Sequence, residues 1–130
     1  MSSEQYQRTV NSLDKEIADL EKKKAAKDKE VATLQGKINT LKKSINSHTS
    51  ASTLNSKMRQ IATHESDQAK KSQDSADFGK KIAEKRKKRA EAYLKLQKEQ
   101  QNEQKKQDKA NQEASSACPR QKSINFIKVL

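Results

Sequence analysis

The chain has 130 residues, of which 30% are hydrophobic, 3% aromatic and 35% charged, with two glycines, one proline and no tryptophan. A soluble domain is ordinarily close to half apolar and about a quarter charged, so this composition excludes an ordinary globular core and argues against an enzyme pocket. With 29 Lys and Arg against 17 Asp and Glu, the formal charge is +12, which favours anionic neighbours.

Scarce Gly and Pro beside abundant Lys, Gln, Ala and Glu predict helix. From Tyr6, alternating steps of four and three land on Val10, Leu13, Ile17, Leu20, Lys24, Lys27, Val31, Leu34, Ile38, Leu41 and Ile45, so ten of twelve positions are apolar. That is the seam of a coiled-coil helix over residues 1–46. Ser2 and Gln5 offer a capping box at its start, and Gly36 falls on the outward side. Residues 47–53, rich in Ser and Thr, predict a turn, because such side chains compete with helical hydrogen bonds and cap new helices.

A second helix is expected over 54–114, stopping short of Pro119. Its apolar stripe is poor. If the chain folds back on itself, the same steps give Leu54, Met58, Ile61, Glu65, Gln68, Ser72, Ser75, Gly79, Ile82, Arg86, Arg89 and Tyr93. This mirrored register pairs Ile45 with Leu54, Leu41 with Met58, Ile38 with Ile61, Ile17 with Ile82 and Tyr6 with Tyr93. Lys24 and Lys27 then meet small serines, either as a layer that sets register or as a weak spot in a long coil. The long polar side chains elsewhere in the row would lay their stems along the seam and keep their charges wet. A period-seven row, Ala62, Ala69, Ala76, Ala83 and Ala90, reads either as a narrow face for close helix approach or as chance recurrence in an alanine-rich helix.

The rival arrangement is a parallel homodimer through the first helix, for which β-branched residues alternating with leucine speak. It would set Glu16 against Glu21 and Lys37 against Lys42, each worth only a few tenths to about 1 kcal/mol. The expectation is therefore an all-α, elongated coiled coil in the form of an antiparallel hairpin, able to dimerise into a four-helix assembly. From about residue 97 the chain turns into a Gln, Glu, Lys and Asp run without a stripe, which predicts a solvated stalk. Residues 115–130 are expected to be a flexible tail with a short β-prone end, Ile124 to Leu130, open to reading as a strand start, a docking peptide or a truncation scar.

Few residues carry chemistry. Lys80, Lys81, Lys85, Arg86, Lys87, Lys88 and Arg89 form a basic cluster, and nine of the twelve excess positive charges fall within residues 80–130. Weak, non-specific contact with nucleic acid or an anionic surface is the functional reading of that cluster, and a solvated helix is the plain one. A basic zipper is excluded by order, since there the basic region precedes the zipper. His48, His64 and Cys118 have no spacing that would hold zinc, and no phosphate loop or nucleophile-base set occurs. No cofactor and no catalysis are expected. With no signal-like leader and no apolar run near the roughly 20 residues that span a bilayer, the expected location is cytoplasmic, and the expected partner is another copy of the chain or another coiled-coil protein.

The block from Ser12 to Ile61, with its IADLEKK motif and KSIN-x-x-TS-x-S-x-L-x-S-K turn, and the later KKIAEKRKK segment from Lys80 resemble the N-terminal coiled-coil region of bacterial Toll/interleukin-receptor (TIR) domain proteins. The resemblance covers about the first hundred residues. It implies a regulatory or oligomerising module beside a TIR domain, a class whose members often hydrolyse NAD in antiphage defence. No such domain fits after residue 115, and the family's catalytic glutamate lies there, so no site residue carries over.

Overall fold

The structure, a computed structural model, describes residues 2–117. Two helices, α1 (Ser3–Lys43) and α2 (Ala51–Ala117), pack against each other as an all-α helical hairpin, with no strand among the described residues. α1 opens on the predicted capping box: Ser2 Oγ accepts the Gln5 N–H at 3.3 Å, and Gln5 Oε1 accepts the Ser2 N–H at 3.0 Å. Two of the orphan donors of a helix start are thereby satisfied reciprocally.

The turn lies over residues 44–50, earlier than the 47–53 expected. Ser44 diverts its hydroxyl to the Leu41 carbonyl at 2.7 Å, a side-chain bond that competes with the helical ladder. Asn46 Oδ1 then accepts the His48 N–H at 2.8 Å, and Thr49 Oγ1 accepts the Asn46 N–H at 3.0 Å. Ser50 is the cap of α2, its Oγ accepting the Thr53 N–H at 3.3 Å and its carbonyl the Leu54 N–H at 2.8 Å. That cap starts α2 three residues before the expected Leu54. At the other end, residues 115–117 belong to α2; the remainder of the expected tail, with Cys118, lies outside the described residues.

The chain divides into two compact units, Asn11–Arg89 and Met1–Val10 with Ala90–Leu130. In the unit Asn11–Arg89, α1 turns its predicted stripe inward at every step: Leu13, Ile17 and Ile38 are buried, and Leu20, Lys24, Lys27, Val31, Leu34 and Leu41 are half-buried, as is Ile45 in the turn. α2 departs from the mirrored register. Leu54, Ile61, Gln68, Ser75, Ile82 and Arg89 do face inward, but the alternate steps are Lys57, His64, Lys71, Phe78 and Lys85, each one residue before the expected position. Met58 is 53% exposed, and Glu65, Ser72 and Arg86 are exposed.

The reason is visible in what four of the five displaced steps gain, His64 being the exception. Lys57 Nζ reaches the Ser44 carbonyl at the end of α1 (3.2 Å), while Lys71 and Lys85 cross to Glu30 and Glu16 (3.4 and 3.2 Å). Phe78 brings an aromatic ring to a step where the mirrored register offered only Gly79. Long basic stems thus cover apolar surface while their charges pair at the edge.

In the other unit Val10, Ala92 and Leu96 are buried and Tyr93 is 42% exposed. The polar run from residue 97 is exposed apart from half-buried Glu99, and Glu103 within it returns to the start of α1: Ser3 donates its N–H and hydroxyl to the two carboxylate oxygens (3.2 and 2.6 Å). A carboxylate there satisfies an unpaired N–H and complements the helix dipole, and these Ser3 bonds hold the Glu103 carboxyl below the usual glutamate range. Residues 104–114 are all exposed, carrying i,i+4 bonds such as Gln104 to Asp108 (2.9 Å).

Candidate interaction surfaces

Within the unit Asn11–Arg89 the two seam lysines sit in a partnered polar layer. The Lys24 stem passes Gly79, where a Cβ would meet its Cε in ordinary contact at 3.5 Å, and its ammonium pairs with Asp28 at 3.1 Å. Buried Ser75 donates to the same carboxylate. The Ser75 hydroxyl, then Lys24, hold the Asp28 carboxyl below the ordinary aspartate range. Lys27 is shared between Glu30 and Asp74, both at 3.7 Å.

One side of the same unit is open. Leu34 and Leu41, both half-buried, line adjoining depressions between the helices, with Thr33 and Lys37 of α1 at the walls of both. Gly36 leaves open space beside them. From α2 come Gln60, His64, Asp67 and Lys70. The His64 Nδ1 atom is buried there without a hydrogen-bond partner, an arrangement that ordinarily costs about 1–3 kcal/mol. The sequence pattern marks Leu34 and Leu41 as seam residues but does not single out this groove, because its walls, such as Thr33, Gly36 and Gln60, come from positions outside the seam rows.

The basic cluster is divided by the fold. Lys85 and Arg86 pair with Glu16 and Glu21 of α1 (3.2 and 2.6 Å), and Arg89 pairs with Asp14. Lys81 stands 5.8 Å above the Phe78 ring. Lys80, Lys87 and Lys88 are exposed and make no ion pair among the described residues, but Asp77 and Glu84 stand three or four residues away on the same helix, near enough to offset their charge. A different cation row runs down α1. Lys15, Lys22, Lys29 and Lys43 share the outward heptad position with Gly36, are all exposed, and make no ion pair among the described residues. Counting charge along the chain conceals this row, because it holds one lysine per heptad; a period-seven count reveals it.

No protein-family model, no curated protein and no solved structure matches this chain. No group of His, Cys, Asp and Glu side chains among the described residues could hold a metal ion, and no helix among them is long and apolar enough to cross a membrane.

Proposed function

We propose that the chain is a non-catalytic coiled-coil module that self-associates, with another coiled-coil protein as the alternative partner. The observation that carries this reading is the open groove over Leu34 and Leu41. A two-helix hairpin covers each seam residue from one direction only, and here two leucines stay half-buried beside the unpartnered Nδ1 of His64. Further helices laid along the groove would bury the leucines at about 25 cal/mol per Å² of apolar surface and bring a donor within reach of the histidine. The resemblance to the coiled coils of bacterial TIR-domain proteins supplies the purpose: such an assembly would cluster an effector domain for antiphage defence.

Light scattering with circular dichroism on one sample tests this. The expected result is a mass at least twice the 14.7 kDa of the chain and a melting temperature that rises with concentration. Thr33→Glu with Thr40→Glu places charge at the groove wall without touching the buried seam. That pair should return the mass to 14.7 kDa with helicity retained. A wild-type monomer whose melting ignores concentration would overturn the reading.

A further inference from the structure

In the unit Asn11–Arg89 the acidic side chains are drawn toward the seam. Asp14, Glu16, Glu21, Glu30 and Asp74 bond across to the opposite helix, as does Asp28 through Ser75. The excess positive charge is left outside, singly at Lys37, Arg59 and Lys70 and in rows at two places. On α2, Lys80, Lys87 and Lys88 alternate with Asp77 and Glu84. On α1, Lys15, Lys22, Lys29 and Lys43 are flanked by Ala18, Ala25, Ala26, Ala32 and Thr40, and the acid among their neighbours, Asp19, is paired with Lys23 at 3.1 Å.

The α1 row keeps a fixed angle to the seam, because both repeat every seven residues. At 1.5 Å per residue it is about 42 Å long, with a lysine about every 10.5 Å except at Gly36. Left-handed winding lifts the end lysines from a plane by a few ångströms, within reach of a four-carbon stem. A ridge of this kind meets a flat anionic surface along its whole length, whereas it meets the cylinder of a nucleic-acid duplex only where the two cross. A helix lodged in a DNA groove needs cations on both flanks and side chains that read bases, and the flanks here are mainly alanine and threonine.

We propose that the outer face of α1, through Lys15, Lys22, Lys29 and Lys43, adsorbs the chain onto an anionic phospholipid surface. No large apolar side chain shares the ridge, so the contact is electrostatic and does not insert. Each lysine near such a surface is worth about a fivefold gain in binding, and salt weakens the attraction. Lys29 of the ridge also lines the groove at Leu34 that self-association would cover, whereas Lys15, Lys22 and Lys43 lie outside that groove.

The test is sedimentation of the full chain with vesicles of phosphatidylcholine containing phosphatidylserine, at low and physiological ionic strength. Binding is expected to these vesicles and not to phosphatidylcholine alone. Lys15→Gln, Lys22→Gln and Lys43→Gln together, which leave the groove untouched, should weaken it on the order of a hundredfold, with helicity and scattering mass unchanged. Lys80→Gln, Lys87→Gln and Lys88→Gln together should weaken it less than about fivefold. No vesicle binding at low salt, an equal loss from the α2 variant, or tighter ridge-dependent binding to duplex DNA would each overturn the proposal.

Discussion

α1 and α2 face one another across a common seam but fill it with different chemistry. In the unit Asn11–Arg89, α1 supplies an aliphatic row interrupted by Lys24 and Lys27. α2 answers with Leu54, Ile61, Phe78 and Ile82 set among Lys57, His64, Gln68, Lys71, Ser75, Lys85 and Arg89. One helix brings most of the apolar surface; the other covers it with basic stems and sends their charges to acids at the edge. Gln68 illustrates the exchange: its amide donates to the Val31 carbonyl at 3.2 Å and to Gln35 Oε1 at 2.9 Å. The lesson is that a hairpin can be held by one good stripe when its partner helix has long, amphipathic side chains in register.

The sharpest way to break this comparison is to empty the aliphatic row. Ile38 is 1% exposed, and Ile38→Ala should cost about 2–4 kcal/mol in urea unfolding followed by circular dichroism. A cost near zero would mean that the basic stems, not the aliphatic row, hold the helices.

The polar layer gives a smaller effect. Ser75→Ala removes the hydroxyl that holds Asp28 down and should cost about 1 kcal/mol. It also has a pH signature. Because the folded Asp28 carboxyl lies below its ordinary 3.8, the stabilisation is present above that value and is lost as pH falls through the lowered folded value. The gap between wild type and variant should therefore shrink as pH falls below the ordinary aspartate range, read from melting temperatures on a titration series. The smallest expected effect is at Met58, where truncation to alanine should change stability by less than about 0.5 kcal/mol. A loss like that at Ile38 would restore the mirrored register.

α1 was legible because its signal is hydrophobic periodicity, the strongest available from a single sequence. The capping box at Ser2 was legible for a similar reason, since its two partners are three residues apart. α2 was legible at every second step and displaced at the others. The method of choosing apolar residues prefers Met58 to Lys57, while the fold prefers the side chain that reaches the Ser44 carbonyl. A lysine whose stem is covered looks the same in a sequence as one that is wholly solvated, and only the acid opposite distinguishes them. The same blindness applies to the basic cluster: seven cations in ten residues announce themselves, but Glu16, Glu21 and Asp14, which neutralise three of them, lie about seventy residues away. Glu103 was missed because an acid in a polar run gives no hint that it caps a helix start a hundred residues earlier.

The turn at 44–50 also sets an order of cost on closing the hairpin. The cross-helix bonds span 13 residues of chain at Lys57 and Ser44, 33 at Gln68 and Gln35, 47 at Ser75 and Asp28, 65 at Arg86 and Glu21, and 100 at Ser3 and Glu103. Closing each of these from an unfolded chain costs about 0.6 kcal/mol more for every doubling of the enclosed length. Once the first is closed, each later bond encloses only the residues added since the last, not the whole span. By loop entropy alone, the bond nearest Ser50 is the least costly of these to close from the unfolded chain and that between Ser3 and Glu103 the most costly.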